Sequence, residues 1–171
     1  MLSGSLVSCC HKGSVYHEAQ AVKCIVEKEI PSIIDPMFVG DPGEEPIPTN
    51  KISRVIFIAN NPSPNISMAV PENYTGVPPS EWLKVMSGMI IPVKSIAYAT
   101  YSKEGDCVKD KETGQLGAII NIYSIQWDSN HDIQLVVGIT CGVYNGSGCT
   151  YKLKWSSGKW LIVGQDQYWL E

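Results

Sequence analysis

The chain has 171 residues, 44% apolar and 18% charged, which excludes a disordered tail and supplies one domain with a sizeable core. Seventeen acids against 13 basic residues leave a net charge of −4, and Arg54 is the single arginine. With no cationic stripe and no guanidinium forks for phosphates, nucleic acid is excluded as a partner. Six cysteines, at positions 9, 10, 24, 107, 141 and 149, are too few and too scattered for a disulfide-built scaffold, yet numerous for a reducing compartment.

Residues 1–13 read as a targeting remnant or flexible linker, followed by one domain over residues 14–171. The first ten are small and uncharged, without the basic and apolar parts of a secretory signal. Leu6-Val7-Ser8-Cys9 resembles a bacterial lipobox, which implies a lipid anchor on Cys9 and a cell-envelope location, periplasmic or on the surface. A frayed start to a cytoplasmic protein is the alternative. Any membrane contact is expected through that anchor, since no stretch of 18 apolar residues occurs. Cys9, Cys10, His11 and His17 are too closely spaced for a tetrahedral ion and lack a second ligand pair, so no metal and no cofactor are expected.

Ser14 is placed to cap a helix starting at Val15, with Glu18 at its positive end. Val15, Ala19, Val22, Val26 and Ile30 make one apolar stripe. Pro31 predicts a kink or stop near Ile30, with a further turn through Ile33 and Ile34. Four prolines and two glycines make residues 35–50 a loop. Residues 52–58 form a β-rich run ending at Asn60-Asn61-Pro62, and Ser80 to Met86 form a short helix closed by Gly88.

Strands follow over residues 90–101, 116–127 and 133–144. The last alternates strictly, with Ile133, Leu135, Val137, Ile139 and Cys141 on one face. Residues 149–155 alternate likewise, and Ser157-Gly158 suits a two-residue hairpin pairing Trp155 with Trp160 and Leu153 with Ile162. Gly138 and Gly142 read as twist or bulge positions. The predicted fold class is α+β: an N-terminal amphipathic helix packed on a curved antiparallel sheet of four to six strands.

This helix–strand–helix–meander order resembles the cystatin-like cone fold of nuclear transport factor, ketosteroid isomerase and the polyketide cyclases. The run from Gly142 through Asn145-Gly146-Ser147-Gly148-Cys149 to Ser157-Gly158-Lys159-Trp160 is similar to the terminal hairpins of small secreted or lipid-anchored proteins of Bacteroides-type bacteria. The resemblance implies a pocket between helix and sheet, which family enzymes furnish with an Asp or His and tyrosine donors.

No nucleophile elbow, phosphate loop, dinucleotide fingerprint or zinc helix is present, so the catalytic residues are unknown. His11 and His17 read as solvated, and His131 as part of a polar turn between two strands. Tyr98, Tyr101, Asn121, Tyr123 and Trp127 are the candidate pocket lining; on one strand Asn121, Tyr123, Ile125 and Trp127 share a face, with Asn121 its polar exception. The bland alternative is ordinary core.

For the cysteines, a three-residue loop pairs Cys141 with Leu153, whereas a wider one sets Cys141 opposite Cys149 and permits a disulfide. Cys24 reads as a buried thiol and Cys107 stays unassigned. Asn65, Asn73 and Asn145 head triplets that fit glycosylation acceptors, meaningful only in a eukaryotic secreted chain. The leading expectation is a non-enzymatic exported or lipid-anchored binding module. Its ligand is a small apolar molecule or a protein partner, with segments 35–50 and 60–79 forming the rim. The alternatives are an isomerase- or cyclase-type enzyme and a pocketless interaction or immunity-type protein.

Overall fold

The computed structural model describes residues 12–34, 55–60, 76–102, 107–142 and 145–170. Cys9, Cys10, His11, segment 35–50 and the triplets at Asn65 and Asn73 lie outside the described residues. In chain order the elements are α1 (Val15–Ile34), β1 (Val55–Asn60), α2 (Ser80–Met86), β2 (Val93–Ser95), β3 (Ala99–Tyr101), β4 (Val108–Asp110), β5 (Leu116–Trp127), β6 (Asp132–Gly142), β7 (Asn145–Ser156) and β8 (Lys159–Leu170). This is an α+β fold.

The helix α1 runs through Pro31, whose ring is exposed, to Ile34. Its buried line includes Ala21, Ile25 and Glu29 besides Ala19, Val22 and Val26, while Val15 is exposed. The face toward the sheet is therefore rotated from the expected stripe. That rotation buries His17, which the sequence reading left in solvent. Its ring stands edge-on to Trp155 at 5.1 Å, and its backbone carbonyl accepts the Trp160 Nε1 hydrogen at 2.9 Å.

The sheet is eight-stranded and mixed, where four to six antiparallel strands were expected. Its order is β2-β1-β5-β6-β7-β8, with β4 also paired to β5 and β3 to β4. β1 runs parallel to both β2 and β5. The reason lies in its sequence: Val55-Ile56-Phe57-Ile58-Ala59 is apolar without alternation and buried throughout, as an interior parallel strand must be. Ile56 and Ile58 face the main core with α1, Trp82 and Met86 of α2, Ala118, Ile120 and Ile122. Val55, Phe57 and Ala59 face a second, smaller core with Ile96, Val108 and Ile119.

The predicted strand over residues 90–101 is broken into β2, a single 3-10 turn at Ile96–Tyr98, and β3. Ser95 causes the break by accepting a hydrogen bond from the Ala97 amide on its side chain, a local alternative to the ladder. The break lets β3 and β4 reach the second core. Lys94 and the fully buried Asp110 carboxylate tie this detour back to β2 through a 2.6 Å ion pair.

The Ser157-Gly158 hairpin has the predicted register, Trp155 opposite Trp160 and Leu153 opposite Ile162. The hairpin before it does not. Gly142 pairs with Asn145 and Val137 with Cys149, so neither expected register of Cys141 is formed. A register shift between Thr140 and Gly142 leaves Cys141 as the extra residue of β6, next to the bulge position expected at Gly142, which is itself paired.

Two outcomes follow. A Cβ on Gly117 would stand 2.5 Å from Phe57 Cε2 and 2.7 Å from the Val55 carbonyl oxygen. Because backbone must then move, Gly117→Ala is expected to destabilise the domain by about 1–3 kcal/mol, read as a lower urea midpoint. The Lys94 ammonium holds the Asp110 carboxyl below its ordinary value. A depressed folded-state pKa gives stability that is present above the unfolded carboxyl range and lost as pH falls through the folded value. Asp110→Asn should flatten that acid limb in melting curves taken from neutral pH downward.

Candidate functional site

The five expected lining residues divide among three places. Trp127 lies on the helix-facing side of β5. Its Nε1 donates to Glu18 Oε1 at 3.0 Å and its ring meets Trp160 edge-on at 5.7 Å. Tyr98 is exposed on the 3-10 turn, with Lys94 Nζ 5.5 Å from its ring centroid. Tyr101, Asn121 and Tyr123 are on the opposite side of the sheet.

The division has one cause. A register shift between Ile122 and Ser124 against β6 makes Tyr123 a bulge residue, and one extra residue reverses which face each later side chain takes. Asn121 therefore shares the second face with Ile119, whereas Ile125 and Trp127 pack on the helix side. The single polar-exception strand face expected from alternation does not exist.

On the second face, Asn121 is 1% exposed. Among the described residues neither its Oδ1 nor its Nδ2 has a hydrogen-bond partner, and the buried Tyr101 hydroxyl has none either. Asn121 pairs across the sheet with Gly138. The Tyr123 ring occupies the space a side chain there would fill, with Cε2 2.7 Å from an added Cβ. Thr140, 2% exposed, sits opposite Ile119 on the same face. Burial, with the Cys141 thiol nearby as a minor cause, pushes the Tyr101 hydroxyl well above its ordinary value. It is therefore a neutral donor and acceptor at any physiological pH.

A second polar group, on the helix side, was not found from the sequence. Tyr151 Oη donates to Glu29 Oε1 at 2.6 Å, and Lys28 Nζ reaches the same oxygen at 2.8 Å while lying 5.4 Å from the Tyr151 ring centroid. Gln165 Nε2 is 3.3 Å from Cys149 Sγ and 3.5 Å from Tyr151 Oη. The available signal was Glu29 itself, four residues after Ile25 on the buried line of α1. Burial first, and then the bond to Glu29, raise the Tyr151 hydroxyl far above the ordinary tyrosine value. The Tyr151 hydroxyl therefore keeps its proton and donates it in the bond to the carboxylate.

The four cysteines in the described residues are free thiols. Cys149 lies opposite Val137, four residues along β6 from Cys141, or roughly 13 Å at strand spacing, beyond bonding reach. The disulfide that a wider loop would have allowed is therefore not formed. Burial pushes the Cys141 thiol up to about 11 and raises that of Cys24, which Glu27 raises further. Neither is a ready nucleophile. Cys24 is half-buried, with Sγ donating to the Trp160 carbonyl at 3.6 Å. His131 is exposed in the turn, where its amide donates to Ser129 Oγ at 3.0 Å and that hydroxyl bonds Asp132 at 2.6 Å.

Among the described residues no three His, Cys, Asp or Glu side chains converge as metal ligands, and no helix is long and apolar enough to cross a membrane. A cleft of about 310 Å³ opens between α1 and the segment after α2, lined by Lys23, Glu27, Ile30 and residues 88–91.

Fold and site together define an α+β domain with an open mixed sheet and two cores. Comparison with protein families, curated proteins and solved structures finds no match.

A hydrogen bond to a buried charged group is worth roughly 1.5–3 kcal/mol. Tyr151→Phe should lower stability by about that much. Combined with Glu29→Gln, it should show a coupling energy of roughly 0.5–3 kcal/mol in a double-mutant cycle of urea unfolding.

Proposed function

We propose that this chain is a non-enzymatic binding module with a cystatin-like plan, exported or lipid-anchored, whose ligand is a small, mostly apolar molecule carrying an amide-like head group. The observation that carries this reading is the Asn121 side chain. A buried amide with neither atom bonded costs roughly 1–3 kcal/mol for each unsatisfied group, and buried polar groups left open in this way call for an explanation.

A carboxamide offers one acceptor and two donor hydrogens, so its complement is another amide edge. The surroundings of Asn121 on this face, Ile119 and the Tyr123 ring at Gly138, are apolar, and a ligand reaches the amide only if this packing opens. The lipid anchor rests on the lipobox-like Leu6-Val7-Ser8-Cys9 alone.

Octanamide is a suitable probe. Titration followed by calorimetry should show saturable binding to the wild type and none to Asn121→Leu. In the absence of ligand, Asn121→Leu should melt at a higher temperature, since it removes unsatisfied polar atoms without opening a cavity. A variant that melts lower, with wild-type protein indifferent to octanamide, would mean that Asn121 serves the fold and would sink the proposal.

A further inference from the structure

The sheet ends on an unusual edge. β8 is 12 residues long and contains no proline. It pairs only with β7 among the described residues, whereas the opposite edge, β2, has three residues. Long free edges template further pairing, and proteins usually shorten them, interrupt them with proline or charge them. Here the middle of the edge is apolar. Leu161 is 41% and Val163 63% exposed. Val15 and Tyr16, also exposed, stand at the same end of the molecule, because the His17 carbonyl accepts the Trp160 Nε1 hydrogen. Exposed apolar side chains therefore flank this free edge on both faces, Leu161 away from the helices and Val15 and Tyr16 on α1.

We propose that β8 is the seam of a two-fold homodimer, in which it pairs antiparallel with β8 of a second copy. A two-fold axis requires the edge to be self-complementary, and one register makes it so. With the axis between Ile162 and Val163, Leu161 lies opposite Gly164 of the second copy and Lys159 opposite its Asp166. Each pair shares a face. Lys159, Leu161, Gly164 and Asp166 are partners of Ser156, Lys154, Lys152 and Thr150 on β7, all on the side away from the helices. Opposite charges directly across a strand pair attract. Asp166, already 3.0 Å from Lys152 Nζ, would lie between its own Lys152 and Lys159 of the second copy.

The shift between Lys152 and Leu153 leaves Val163 as the extra residue of β8. Bulges often blunt an edge, but this one lies at the proposed axis. There each Val163 lies opposite Ile162 of the second copy, and the flanking pairs keep their register. The result is a continuous sheet through both subunits, with the exposed Leu161 brought to the junction.

Light scattering coupled to gel filtration tests this on the full chain. The wild type should run at twice the chain mass. Val163→Lys, and either Lys159→Glu or Asp166→Lys alone, should raise the dimer dissociation constant at least tenfold, with circular dichroism confirming that each variant stays folded. Lys159→Glu combined with Asp166→Lys should restore the dimer, since the pair is re-formed with its signs exchanged. A wild type that is monomeric at every concentration leaves the edge to an extended strand of another protein and overturns the proposal. A dimer indifferent to the single reversals, or a folded double reversal that stays monomeric, overturns it as well.

Discussion

Burial of β1 on both faces is the constraint from which the architecture follows. Residues 55–59 have no wet side, and an apolar strand with two dry faces needs a layer on each. The two helices supply one layer. The other is made by the detour through the 3-10 turn, β3 and β4, which brings Ile96 and Val108 over Phe57. That detour must leave the sheet and return to it. The Ser95 turn and the Lys94–Asp110 ion pair, with its fully buried carboxylate, fasten it at the point of departure. The close approach of Gly117 to Phe57 and the Val55 backbone has the same origin, since β5 must lie tight against a strand crowded from both sides.

Polar groups in the two cores are treated differently, and the difference separates structural from functional readings. Glu29 and Tyr151 are buried in an otherwise apolar layer but bonded to each other, with Lys28 closing the carboxylate from the half-exposed side. A satisfied buried pair of this kind rigidifies its neighbourhood. Asn121 lies equally deep with both atoms open. It lies among Ile119, Gly138 and the Tyr123 ring.

Legibility in the sequence followed periodicity. The limits of β5 agreed with its predicted span, and the Trp155–Trp160 pairing was correct because a two-residue turn leaves a single register that keeps the apolar faces together. Where periodicity was silent, the reading failed for identifiable reasons. The bulge at Tyr123 carries no mark in composition, so Asn121 and Trp127 were assigned to one face. Val137 and Cys141 are both odd-numbered apolar positions, so face-matching could not decide which of them lies opposite Cys149. His17 and Glu29 were missed because a polar residue on a helix is assigned to solvent unless its contacts are known.

The amino-acid sequence alone determined the α+β class, the start of the long helix, the span of β5 and the final hairpin, because these depend on local pattern. The tertiary structure alone decided the parallel placement of β1, the division of the core in two, the faces of Asn121 and Trp127, the Glu29–Tyr151 bond and the separation of Cys141 from Cys149. Each of these depends on strand order and register, which arise from contacts between residues far apart in the chain. A one-residue shift in register leaves composition untouched and reverses every side chain beyond it.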